Sequence, residues 1–147
     1  MKILIDADAC PVTDIAVNIA KEYSKECIIL CDTAHYIVRD GAETVTVEKG
    51  ADSVDFRLVN MVKNGDIAIT QDYGLAAMCL AKKAVPINQN GLVFTDDNIE
   101  KLLYTRFVSK KIRMAGGKTK GPKKRTKEHD IEFEKNLRLL IESTESD

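Results

Sequence analysis

Three short apolar runs in this chain end in, or lead straight to, aspartate: Lys2–Asp6 followed by Asp8, Cys27–Asp32, and Asp66–Asp72. Runs this short, rich in Ile and closed by polar residues, read as buried strands of a parallel sheet. In open parallel sheets, ligands bind in the crevice outside the carboxyl ends of the strands. The aspartates therefore fall where chemistry is done, and several carboxylates meeting there would hold a divalent metal. Asp6 and Asp8 lie two apart, so in an extended segment they share a face. Such a pair either shares a proton or binds a cation. Asp72 closes the third run, with the Thr70 hydroxyl at the same edge. Asp52 and Asp55 flank the start of a predicted helix and sit three apart on it.

Each of these residues also has a plainer reading. Asp8 or Asp72 can cap the helix that follows it. Acids in a first turn, as Asp52 and Asp55 would be, are favoured by the helix dipole alone. The convergence of four or five carboxylates on one region is what points to a site. Hard Mg²⁺ or Mn²⁺ takes oxygen ligands and keeps several waters. Carboxylate-held metal with water suits phosphodiester hydrolysis. On this reading Asp6, Asp72, Asp52 and Asp55 are the catalytic candidates, and Asp6, Asp8, Asp72 and Asp55 the metal ligands.

The elements that must position these residues alternate between strand and helix. Strands are predicted at 2–6, 27–31, 36–38, 44–47 and 66–70, with an edge strand at 84–87 whose Pro86 cannot donate a ladder bond. Helices are predicted from Val12 to Tyr23, from Asp52 or Ser53 to about Lys63, from Tyr73 to Lys83, and from Thr95 or Asp96 to about Tyr104. Phe107, Val108, Ile112 and Met114 could anchor a further helical stretch before a basic glycine-rich loop. A last helix starts near Thr126 and carries Ile131, Phe133, Leu137, Leu140 and Ile141. Such alternation gives an α/β three-layer, Rossmann-like parallel-sheet domain with a C-terminal helical extension. At 147 residues the chain is one domain over 1–147, with the basic loop and last helix at 106–142 packed on it.

Charge is unevenly distributed along the chain. Residues 101–127 carry 11 basic residues and no acid, whereas residues 1–100 carry 16 acids against 9 bases. That separation points to an anionic partner, nucleic acid first, with RNA favoured. The alternative is a solvated basic loop paired with the acidic last helix. Arg113, Gly116, Gly117, Lys118, Thr119, Lys120, Lys123 and Lys124 are the candidate phosphate-binding residues, the glycines letting backbone N–H groups approach a phosphate. The spacing is not that of a P-loop. No apolar stretch approaches the roughly 20 residues of a membrane span, and no signal peptide is apparent, so a cytoplasmic location without membrane contact is expected. Cys10, Cys27, Cys31 and Cys79 have no metal spacing and read as reduced core thiols, with Cys10 set beside the expected site.

At Asp6-Ala-Asp-Ala-Cys-Pro11, Gly50-Ala-Asp-Ser-Val-Asp55, Thr70-Gln-Asp72 and Gly116-Gly-Lys-Thr-Lys-Gly-Pro122 the chain resembles the bacterial YaiI/YqxD family over essentially its whole length. That family is of unknown function and is described as PIN-like. The resemblance implies a parallel sheet with helices on both faces and an acidic Mg²⁺ or Mn²⁺ site, many PIN domains being ribonucleases. It matches Asp6 to the first PIN acid, Asp52 or Asp55 to the second, and Asp72 to the acid of the Thr-x-Asp segment, with Asp96 as a weaker fourth. Two rival functions fit the same residues. One is a non-catalytic nucleic-acid or protein-binding module. The other is a haloacid-dehalogenase-like phosphatase, with Asp6 as nucleophile, Asp8 as acid/base and Asp96–Asp97 as the late acidic pair.

Overall fold

The computed structural model describes residues 1–50, 53–119 and 124–145. Five strands, β1 (Lys2–Asp6), β2 (Glu26–Asp32), β3 (Glu43–Val47), β4 (Ile67–Ile69) and β5 (Val85–Ile87), form one sheet. Its order is β3-β2-β1-β4-β5 and every neighbouring pair is parallel. The helices are α1 (Thr13–Glu22), α2 (Ser53–Met61), α3 (Tyr73–Ala81), α4 (Asp96–Met114) and α5 (Lys127–Glu145). None of the described helices is long and apolar enough to cross a membrane.

The strand period of two divides the apolar residues between two faces. Ile3, Ile5, Cys27, Ile29 and Cys31 join Val12, Ala16 and Ile19, together with Phe133, Leu137 and Ile141 of α5. Leu4, Ile28, Leu30 and Ala68 meet Leu58 of α2 with Leu75 and Cys79 of α3 on the other. With both faces covered, the strands can be continuously apolar, as β1 and β2 are. Burial pushes the Cys27 thiol up to about 12 and the Cys79 thiol to about 11, so both remain protonated core residues.

Three local expectations are corrected. Residues 36–38 do not form a strand. The connection from β2 to β3 crosses the α1 face, where Ile37 packs against the core while Tyr36 and Val38 are exposed. The Ile37 carbonyl accepts the Thr44 hydroxyl at 2.7 Å instead of a ladder bond. Helix α4 does not stop near Tyr104 but runs 19 residues to Met114. It begins with a reciprocal cap between Thr95 and Asn98 and ends where Gly116 takes a positive φ of 86°. Asp8 does not cap α1: Val12 holds that position with no side-chain cap bond.

Candidate active site

The neighbours of β1 in the sheet are β2 and β4, and the chain winds away from β1 in opposite directions. At such a switch point the loops leaving adjacent strands diverge and open a crevice at the carboxyl edge. A cleft of about 380 Å³ lies there. Asp6, Asp8, Asp32, Asp55 and Asp72 line it, together with Gln71, Ser53 and Arg106.

Register explains much of this convergence. Asp6 ends β1 and pairs with Leu30, so Asp32 lies two residues further along β2 on the same face. Ile5 pairs with Ile69, which brings Thr70 level with Asp6. The buried Thr70 hydroxyl donates to Asp6 Oδ2 at 2.8 Å and accepts the Asp72 amide at 3.0 Å. Asp72 caps α3, its Oδ1 accepting the amides of Gly74 at 2.8 Å and Leu75 at 3.2 Å. The cap reading of Asp72 is thus correct, and it does not remove Asp72 from the cleft: one oxygen serves both amides. Asp55 enters from the first turn of α2.

The electrostatics of these carboxylates differ. Burial raises the pKa of Asp6; Thr70 opposes the shift, and the charges of Asp72 and Asp8 add to it. Asp32 goes the other way. Its Oδ1 lies 2.9 Å from His35 Nδ1 and accepts the Ala34 amide at 2.9 Å, and the His35 bond leads the causes that lower its pKa. Among the described residues, no three His, Cys, Asp or Glu side chains are gathered closely enough to enclose a metal ion. The donor set nonetheless suits Mg²⁺ or Mn²⁺, because such an ion keeps several waters and needs only one or two direct carboxylates. An acidic cleft in which the Asp6 carboxylate is disfavoured, first by burial and then by the charges of Asp72 and Asp8, is what a cation would relieve.

Of the expected residues, Asp6, Asp8, Asp55 and Asp72 come together. Asp52, Lys120 and Lys123 lie outside the described residues. Asp96 stands in the first turn of α4 and does not line the cleft. Arg113, Gly116, Gly117, Lys118, Thr119 and Lys124 do not line it either. The amides of the glycine pair are engaged within the chain. The Gly116 amide donates to the Arg113 carbonyl at 3.0 Å and the Gly117 amide to Ile112 at 2.9 Å, a Schellman-type stop for α4. Amides so engaged are not available to an anion. Arg125 is structural as well: its guanidinium donates to Asn90 Oδ1 and the Gln89 carbonyl, and lies 2.8 Å from Asp130. Cys10 lines a separate shallow depression with His35 and Tyr36, and burial raises its thiol pKa, which disfavours thiolate.

Asp32 and Arg106 line the cleft without being among the catalytic, metal or phosphate-binding candidates named above. Asp32 occupies on β2 the strand-end place that Asp6 occupies on β1, and that repeated position was the signal for it. Arg106 belongs to the basic segment, and the unbroken course of α4 brings it to the cleft.

The comparisons with known proteins agree with one another. The family described as "Uncharacterized BCR, YaiI/YqxD family" matches residues 4–143. A UPF0178 protein of Exiguobacterium sibiricum is 54% identical over 99% of this chain and 100% of its own length. One from Ruminiclostridium cellulolyticum is 54% identical over 96% of this chain and 92% of its own. One from Clostridium acetobutylicum is 46% identical over 96% and 97%. No solved structure matches significantly. With the match spanning both the aspartate-bearing strand ends and the C-terminal helix, the chain belongs to the YaiI/YqxD family.

Proposed function

We propose that this protein hydrolyses phosphodiester bonds in RNA at its acidic cleft, with Mg²⁺ or Mn²⁺ as cofactor. The observation that carries this reading is the lining of one switch-point cleft by Asp6, Asp8, Asp32, Asp55 and Asp72. Asp6, Asp8, Asp55 and Asp72 are the residues that would hold the ion. Once bound, the ion would neutralise phosphate oxygens and lower the pKa of water. The chain itself supplies orientation. Thr70 fixes Asp6 through Oδ2, and the α3 amides fix Asp72 through Oδ1. The second oxygen of each carboxylate has no hydrogen-bond donor among the described residues. The net reaction adds one water across a P–O bond, giving a phosphate monoester and a hydroxyl.

The phosphatase reading is less well supported. Asp96 and Asp97 belong to the first turn of α4, and no lysine lines the cleft among the described residues. The deciding experiment titrates Mn²⁺ into wild type and Asp6→Asn by calorimetry, with labelled single-stranded RNA cleavage followed in parallel. Wild type is expected to bind the ion and cleave, and the folded variant to lose cleavage. A folded wild type that binds RNA without any metal-dependent turnover would make the protein a binding module instead.

A further inference from the structure

Helix α4 changes character along its length. Ile99, Leu103, Arg106, Lys110 and Arg113 follow one another at intervals of four, three, four and three residues, which places them along one helix face. Ile99 is buried and Leu103 half-buried against α3 and Phe94. Past Leu103 the same face turns cationic and is exposed. Phe107 and Met114 flank it at 56% and 76% exposure, a large apolar area for a surface helix. Between Lys101 and Lys127 there is no acid to neutralise these cations.

Arg106 is where this face meets the cleft. It is the only cation lining the cleft among the described residues, opposite five carboxylates. Among the described residues it forms no ion pair with any of them. Its guanidinium lies 5.9 Å from the centroid of the Tyr73 ring. That ring packs edge-on against the buried Phe94, with 5.6 Å between centroids. An aromatic platform thus stations the guanidinium beside the acids, and among the described residues its N–H donors are unengaged.

We propose that the exposed face of α4, from Arg106 through Phe107 and Lys110 to Arg113 and Met114, is the docking track for a single RNA strand, with Arg106 holding the phosphate that enters the cleft. The proposal rests on the nuclease reading for its substrate class and adds the surface that presents the substrate. Charge complementarity selects a polyanion. The exposed Phe107 ring, with Lys111 Nζ 5.5 Å from its centroid, selects unpaired bases, because a duplex keeps its base faces stacked inside. Continuity through Arg106 ties the track to the cleft. The acidic last helix of a second copy is the competing occupant.

The test measures fluorescence anisotropy of a labelled single-stranded RNA of about 12 nucleotides against the full-length protein in EDTA, across a KCl series. Arg106→Gln, Phe107→Ala and the double reversal Lys110→Glu/Arg113→Glu are compared with wild type, with circular dichroism confirming the fold. The double reversal is expected to weaken binding at least ~10-fold and to flatten the log–log salt slope by about 1.4, two single-strand phosphate contacts. Phe107→Ala is expected to weaken it about 10-fold. Variants that bind like wild type, or a wild type that prefers duplex, would overturn the proposal. So would reversals that dissociate a dimer in sedimentation while RNA affinity stays unchanged. Wild-type RNA binding with these dependences but no Mn²⁺-dependent cleavage would keep the track and remove the nuclease reading. Cleavage unaffected by the α4 variants would do the reverse.

Discussion

Asp66 and Asp6 sit at opposite ends of the same strand pair. Asp66 immediately precedes β4 and faces Lys2 at the amino edge; Asp6 ends β1 and faces Thr70 at the carboxyl edge. Asp66 is fully accommodated. The Lys2 ammonium lies 2.6 Å from Oδ2, the Lys2 amide donates to Oδ1 at 3.0 Å, and the Lys63 amide donates to Oδ2 at 2.8 Å. Burial on its own would raise the pKa of Asp66, but Lys2 and the Lys63 amide outweigh it and hold the carboxyl below its ordinary value. Asp6 receives one hydroxyl and has two further carboxylates nearby, and its pKa is raised. The same side chain, in the same layer of the sheet, is thus a structural element at one edge and a carboxylate with a single hydroxyl donor at the other. What separates them is whether the fold supplies a cation. On the proposed function, the bound ion would supply that charge at Asp6.

The largest effect expected from breaking this contrast is at the satisfied end. Asp66→Asn leaves the Lys2 ammonium, only 16% exposed, without its counter-charge. It should cost about 3 kcal/mol in urea unfolding with little change in m-value. The pH dependence follows from the lowered pKa. Asp66 contributes its full stabilisation above the ordinary carboxylate value near ~3.9 and loses it as pH falls through the lower folded value. The gap between wild type and Asp66→Asn should therefore be wide at neutral pH and close on acidification. A gap independent of pH would show that shape, not charge, is what matters at Asp66.

A smaller effect is expected at the link between the site residues. Thr70→Val keeps the volume of a side chain that is 1% exposed but removes the acceptor of the Asp72 amide and the donor to Asp6. A cost of about 1–2 kcal/mol follows from the half-buried Asp72 amide left unpaired. Cleavage should fall more than stability would explain, because Asp6 loses the contact that orients it. If stability falls and cleavage per folded molecule does not, Thr70 is a packing residue alone.

How legible this contrast was in the sequence depends on scale. The strand ends were readable because β1, β2 and β4 are short Ile-rich runs closed by polar residues. That pattern also placed Asp6, Asp32 and Asp72 at the cleft edge, while Asp55 came from the start of a predicted helix. Pairing was not readable. Nothing local distinguishes Asp66, which meets Lys2 from 64 positions away, from Asp6, which meets Thr70 across the same interval. The switch point is likewise a property of strand order, so that Asp32 and Asp6 share one crevice emerges only once β2 and β4 flank β1. Gly116 and Gly117 were ambiguous because a glycine pair beside lysines suits both an anion loop and a helix stop. The carbonyls of Ile112 and Arg113 decide between them. Arg106 was hidden by the weak apolar periodicity of α4, whose second half lacks a buried face to reveal its helix.

The smallest effect, and the one that most sharpens the contrast, is on the stability of Asp6→Asn. In the folded state, burial first and then the charges of Asp72 and Asp8 disfavour the ionised carboxyl, with only Thr70 opposing them. The folded protein therefore binds this proton more readily than the unfolded chain does. Stability is lost as pH rises through the unfolded value and then the raised folded one, and the penalty is complete above it. An amide in place of the carboxylate removes that penalty and can still accept from Thr70. In metal-free buffer near neutral pH, Asp6→Asn should gain about 1 kcal/mol over wild type by calorimetry, the trade expected of a residue retained for function. The gain should shrink toward zero below the ordinary carboxylate range. Adding Mn²⁺ should raise the Tm of wild type and not of the variant, since an ion that binds only the folded state stabilises it in proportion to its occupancy. A variant less stable than wild type at neutral pH would place Asp6 with Asp66, among the carboxylates the fold itself requires.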